Sequence, residues 1–145
     1  MLENHELLKL IGRKDEMFIE DIEYHNEGIL SLLKDSKVLV VGASGSIGSA
    51  VVNELFKRSP AALHTVDISE NNLVELVRNV RSSVGYLTKD FRTFCLDILA
   101  DDFEDFYSYY GPYDYVLNFS AMKHVRSERD IYTLRRMFAI NILGA

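Results

Sequence analysis

Cysteine is almost missing from this chain. Its one thiol, Cys95, has no internal partner for a disulfide, and its place in the apolar run FRTFCLDI predicts a buried small hydrophobe without a chemical role. Metal-ligand spacing is missing too: His5, His25, His64 and His124 lie far apart and no cysteine pair accompanies them. No metal centre is therefore expected, and the histidines read as exposed or hydrogen-bonded side chains. Positive charge is in short supply. A net charge of −6 argues against a nucleic-acid binder, which needs a basic surface to displace counterions from phosphates. No apolar stretch approaches the roughly 18 residues that suggest a membrane span. The start MLENHELLKL lacks the basic lead and small-residue cleavage site of a secretory signal. The expectation is a soluble, cytoplasmic chain.

What is present suits one compact unit. A chain of 145 residues, 48% hydrophobic and 26% charged, has an ordinary globular composition, and at this size folding removes roughly two thirds of the unfolded surface from water. Residues 1–36 differ from the rest. LLKLIGRKDEMFIEDIEYHNEGILSLLKD carries helical apolar spacing twice, broken near Gly12 and again near Asn26 and Gly28, which predicts a lead-in of two short helices. Residues 37–145 alternate short apolar runs with amphipathic stretches, the pattern of parallel strands joined by crossover helices. KVLVVG is a central strand, ALHTVDI a second, FRTFCLDI a third and YDYVLNFS a fourth. Between them, Ile47, Val51 and Leu55, extended by Ala50, predict one helix face; Leu73, Leu76, Val77 and Val80 predict another behind a cap at Ser69. DDFEDFYSYY reads as a short helix with an acidic first turn. DIYTLRRMFAINIL closes the chain as a helix with Ile131, Leu134, Phe138 and Ile142 on one side.

The stretch VLVVGASGSIGSAVVNEL places Gly42, Gly45 and Gly48 between a buried strand and a helix. Such a turn lets backbone N–H groups and the positive helix end meet a diphosphate. Gly42 permits the sharp turn, Gly45 clears the approach of phosphate oxygens, and Gly48 lets the helix pack closely. Ser44 and Ser46 add hydroxyl donors; Ile47 either anchors the helix start or borders the cofactor. No Gly-Lys-Ser/Thr follows, which argues against a nucleotide triphosphatase. Asp67 ends the second strand, where a carboxylate accepts both ribose hydroxyls of adenosine and repels a 2′-phosphate, so NAD is expected and NADP less so. Asp97, with the Ile98 backbone beside it, is either an acceptor for the adenine amino group or a plain helix cap.

GASGSIGS at 42–49, Asp67, LDI at 96–98, NFSAMKHV at 118–125 and the late NILGA together resemble the extended short-chain dehydrogenase/reductase superfamily. SAMKHVRSERD with FAINILGA resembles its capsular-polysaccharide branch, which includes UDP-N-acetylglucosamine 4,6-dehydratases and related epimerases. The resemblance implies an α/β fold, a partial Rossmann-type doubly wound parallel sheet with an N-terminal helical extension. It implies that Phe119, Ser120 and Ala121 lie beside the cofactor, that Lys123 and His124 face the sugar nucleotide, and that Asn141 helps organise the catalytic centre. It also implies a UDP-sugar substrate in the complete enzyme and a homo-oligomer. Ser120 and Met122 stand where the branch often has alanine and leucine, a change of packing more than of chemistry.

The superfamily's Tyr-x-x-x-Lys pair does not occur within the sequence, so no catalytic acid/base is expected in these residues, and hydride transfer from a sugar carbon needs one. The tyrosines of FYSYYGPYDY read as packing groups. Lys123, His124, Arg126 and Arg129 form a basic cluster that meets a sugar diphosphate or is simply solvated. Two further readings stay open: a non-catalytic dinucleotide-binding module, and a superfamily oxidoreductase with another substrate.

Overall fold

The computed structural model describes residues 4–13, 18–85, 87–123 and 130–144. Four apolar runs form strands β1 (Lys37–Val41), β2 (Ala62–Asp67), β3 (Asp90–Cys95) and β4 (Tyr115–Asn118). All pair in parallel, in the order β3-β2-β1-β4. Parallel pairing needs a crossover between successive strands, and helices α3 (Ser46–Arg58), α4 (Glu70–Val84) and α5 (Asp101–Tyr110) supply them. Two helices precede the sheet, α1 (Asn4–Leu10) and α2 (Ile19–Leu33). After β4 comes α6 (Ile131–Phe138), which runs into a π-helical turn, Ala139–Leu143. This is the doubly wound α/β arrangement expected. The chain divides into two compact units, Met1–Leu32 and Leu33–Ala145.

Strand alternation sorts the core onto two faces. Leu39 and Val41 of β1 and Val66 of β2 meet Phe106 of α5, with Phe94, Phe103, Tyr110 and Tyr113 packed around them. On the opposite face Phe56 of α3 stands edge-on to Phe91, ring centres 5.1 Å apart. Val38, Leu39 and Val40 have no exposed surface, which is why β1 reads as an unbroken apolar run. The tyrosine-rich segment packs as expected: Tyr110 and Tyr113 join the aromatic cluster around Phe94 and Phe106.

Several expectations need correction. The helical pattern does not break at Asn26 and Gly28, because α2 runs through both. Cys95 is exposed rather than buried, since β3 is an edge strand; its thiol donates weakly to the Ile68 carbonyl at 3.5 Å. The buried stripe of α3 is Gly48, Val52, Leu55 and Phe56, while Ile47 is 67% exposed. Close packing at Gly48 sets that phase, turning Ala50 outward and leaving Val51 half-buried. In α4 the expected Leu73, Leu76 and Val80 are buried and Val77 is partly so, and Ser69 caps the helix through Asn72 N–H. Among the described residues, no helix is long and apolar enough to cross a membrane.

Candidate functional site

The strand order reverses at β1, so the crossovers leave β1 in opposite directions and a crevice opens at the carboxyl ends of the strands. The loops after β1 and β4 touch there. Gly42 has φ +71, and a Cβ on it would lie 2.6 Å from Ser120 N and 2.7 Å from the Phe119 carbonyl carbon. Gly48 is closed off equally, since its Cβ would stand 2.2 Å from the Gly42 carbonyl oxygen. Gly45 is different. It has ordinary extended dihedrals, φ −68 and ψ 168, and among the described residues its Cβ would meet only the Gly42 oxygen, at 3.4 Å. The protein's own atoms scarcely use the space that Gly45 leaves.

Gly45 is also the N-cap of α3, where among the described residues no side-chain cap accepts from the first-turn N–H groups and no acidic residue sits in the first turn. By contrast α4 and α6 are capped by Ser69 and Asp130. The end of α3 therefore presents unmet donors and the positive end of a helix dipole. It adjoins a depression lined by Gly42 and Gly45, Asp67, Asp97 and Ile98, and Phe119, Ser120 and Ala121, all expected site residues. Val41, Val66, Ile68, Leu96, Arg136 and Ile140 complete the lining.

The carboxylates are already engaged. Asp67 Oδ2 accepts from Ser44 N–H at 2.9 Å and Oδ1 from Ser69 N–H at 3.0 Å, so Asp67 ties the glycine turn to the start of α4. An ionised carboxylate offers about four acceptor positions, which leaves capacity for ribose hydroxyls. Asp97 Oδ1 accepts from Leu99 N–H at 3.0 Å, and Oδ2 from Arg136 Nη2 at 2.5 Å. The Arg136 guanidinium and the Leu99 amide hold its carboxyl below the usual range. Asp97 is thus both a turn cap and an ion-pair partner.

Other expected residues sit elsewhere. Ser44 turns its hydroxyl inward, where Oγ is buried without a hydrogen-bond partner among the described residues, so it is not the open donor expected. Ser46 and Ile47 are exposed outside the lining, and Ile47 neither anchors the helix start nor borders the depression. Lys123 is exposed outside it as well, and His124 falls outside the described residues, as do Arg126 and Arg129. Asn141 holds the backbone after β4 from both sides: its Oδ1 accepts from Met122 N–H at 2.9 Å and its Nδ2 donates to Met122 O at 3.1 Å. Asn118, not singled out from the sequence, accepts from both Ser120 N–H and Oγ and donates to Gly144 O at 2.6 Å. Arg136 was also missed. Its pairing with Asp97 spans 39 residues, beyond the reach of helical periodicity.

Residues 38–145 match the family described as polysaccharide biosynthesis protein. An uncharacterized membrane protein of Methanocaldococcus jannaschii, MJ1061, is 31% identical over 99 residues, which are 68% of this chain and 27% of that protein. The chain thus spans about a quarter of that relative's length. Among solved structures, Pen from Bacillus thuringiensis is similar with TM-score 0.63 and 28% identity, over 77% of this chain and 32% of that one. A short-chain type dehydrogenase/reductase from Mycobacterium ulcerans gives TM-score 0.62 at 20% identity, over 77% and 43% of the two chains. A structure from Haemophilus influenza with bound NAD, described as a D-mannonate oxidoreductase, gives 0.61 at 13%, over 77% and 47%. These last two likenesses concern the fold, which is that of the short-chain dehydrogenase/reductases. The match over 38–145, which takes in the sheet from Val38 onward and its glycine turn, settles the family: the chain belongs to the polysaccharide biosynthesis proteins.

Proposed function

We propose that this chain is the NAD-binding portion of a nucleotide-sugar dehydratase or epimerase, similar to UDP-N-acetylglucosamine 4,6-dehydratases, acting in polysaccharide biosynthesis. The observation that carries the reading is the uncapped end of α3 at Gly45, beside a depression that also holds Asp67 and Asp97. Unmet helix-end donors with no side chain in front of them suit a diphosphate. The apolar walls Val66, Ile68, Leu96 and Ile98 suit a base and its ribose. When bound, the dinucleotide supplies reversible hydride acceptance. This chain's residues bind and orient it: the α3 end holds the diphosphate, Asp67 the ribose hydroxyls, Asp97 the adenine amino group, and Phe119 to Ala121 the nicotinamide side. Asn141 fixes the backbone of Met122, the residue before Lys123. In this reading the chain contributes a binding surface, Lys123 and His124 meet the sugar nucleotide, and the complete enzyme is a homo-oligomer.

The preference for NAD rests on Asp67, which lines the depression and has no cation paired with it among the described residues. A 2′-phosphate there would meet an uncompensated carboxylate. Titration calorimetry with NAD and NADP, on wild type, Asp67→Ala and Asp67→Asn, checks this. NAD is expected to bind about tenfold or more tightly than NADP, with the gap narrowing in both variants, since one charge repulsion of about 1.4 kcal/mol is a tenfold effect. Equal affinities would remove the case for NAD, and no binding of either would remove the reading. The sugar assignment is checked by NMR, as UDP-N-acetylglucosamine added to the NAD-loaded protein should shift the Lys123 amide resonance.

A further inference from the structure

Arg136 reaches from α6 into the depression and donates to Asp97 Oδ2 at 2.5 Å, while Leu99 N–H holds Oδ1 at 3.0 Å. Gripped at both oxygens by donors from two separate segments, the carboxylate has a fixed plane. Its remaining acceptor positions belong to a carboxylate that is 28% exposed beside a guanidinium that is 41% exposed. The pair therefore borders the open pocket and is not sealed inside the fold. Ile98 and Ile140 are apolar members of the same lining, in which Asp67 and Asp97 are the two carboxylates. An ionised carboxylate accepts and cannot donate. It welcomes a base that presents an amino group and opposes one that presents a carbonyl, lone pair against lone pair.

We propose that Arg136 is a positioning residue for base recognition: by orienting Asp97 as a fixed acceptor, it makes the pocket prefer an adenine dinucleotide over one whose base carries a keto oxygen in place of the amino group. The inference rests on the dinucleotide reading above and adds a residue and a selectivity to it. Removing the guanidinium frees the Asp97 side chain to turn toward solvent, and the discrimination goes with it. A purely structural ion pair would behave differently, since its loss would lower stability and weaken both dinucleotides alike. A latch that closes the pocket would differ again, since its loss would tighten NAD binding.

The test is titration calorimetry with NAD and with nicotinamide hypoxanthine dinucleotide, on the wild-type chain, Arg136→Met, Arg136→Lys and Asp97→Asn, with thermal melts run in parallel. Wild type is expected to favour NAD about tenfold or more, the ratio a hydrogen bond to a charged group supports. Asp97→Asn and Arg136→Met should bring the two affinities within about threefold, and Arg136→Lys should restore part of the preference. A wild-type ratio retained in Arg136→Met, equal affinities in wild type, or tighter NAD binding by the variant would each overturn the proposal while leaving the dinucleotide site intact. Should Arg136→Met fail to fold, the Lys variant decides: an unchanged ratio counts against the role and a reduced one for it. If wild type binds neither dinucleotide, the underlying reading fails and this inference falls with it.

Discussion

Of the three glycines in the turn, Gly45 is the one whose missing side chain leaves space that the protein's own atoms hardly occupy. Gly42 and Gly48 are needed by the fold itself, because a Cβ at either would overlap neighbouring backbone. This separates two roles that the spacing alone merges. Gly48→Ala should destabilise the protein by about 1–3 kcal/mol or more, the usual cost of forcing atoms into a packed site. Gly45→Ala should change stability by no more than about 1 kcal/mol, because its dihedrals suit any residue and alanine restricts the unfolded chain. It should nonetheless weaken NAD binding at least about tenfold, since the new methyl stands before the helix end. Chemical denaturation and calorimetry on the two variants check the contrast; equal binding loss with equal stability loss would contradict it. The glycines were legible in sequence because they are local. The Asp97–Arg136 pair and the inward turn of Ser44 were not, because each depends on what tertiary packing brings near.

At the scale of elements, α3 lacks both of the features that ordinarily settle a helix start. It has no side-chain cap and no acidic first turn, while its last turn carries Lys57 and Arg58, the favourable charges for that end. Gly45→Asp would supply both missing features, since aspartate is a strong N-cap and its charge meets the dipole. An increase in stability of about 0.3–1 kcal/mol is expected, read as a higher melting temperature, together with loss of dinucleotide binding. A variant that melts higher and still binds NAD would show that the helix end is not the anion site. Element types were well marked in sequence, since apolar period distinguishes strand from crossover helix. Their sides were harder. Ile131, Leu134, Phe138 and Ile142 form the expected stripe on the last helix, yet they are 54%, 36%, 55% and 59% exposed. Arg136 and Ile140 of the same segment line the depression. Periodicity locates an apolar stripe and is silent on which side of a helix a charge pair at the pocket's rim will recruit.

At the scale of the whole molecule, the end of the sheet opposite the pocket holds a titratable cluster that sets how stability depends on pH. His64 is 1% exposed; its Nδ1 lies 2.8 Å from the Tyr113 hydroxyl, and Asp90 Oδ2 stands 3.6 Å from Nε2. Burial lowers its pKa below the ordinary 6.5 despite the pull of Asp90, and Lys37 and Arg92 push the same way. The folded state therefore keeps the imidazole neutral where the unfolded state takes up a proton, and stability falls as pH drops below 6.5 toward the folded value. Burial, with Tyr107, Tyr110 and Asp90 nearby, pushes Tyr113 up to about 12 from 10.0. The folded state there retains a proton that the unfolded state releases, so stability falls again as pH rises from 10.0 toward about 12. Denaturant midpoints measured against pH should show both limbs. His64→Phe should flatten the acid limb between pH 6.5 and about 5, a range in which most carboxylates stay ionised, and Tyr113→Phe should flatten the alkaline one. An acid limb unchanged in His64→Phe would assign the effect to other groups.

The placement of β1 between β2 and β4 has a temporal consequence. Lys37 N–H reaches the Asp114 carboxylate across 77 residues, whereas the β1–β2 ladder closes over a far shorter span of chain. Closing the longer loop costs about 1 kcal/mol more in chain entropy, so the first ladder is favoured to form while the other edge is still searching. The glycine turn and Asp67 are then in place before Phe119 and Ser120 arrive against Gly42. During biosynthesis the ribosome would release one wall of the crevice well ahead of the other, leaving a half-built surface until β4 docks.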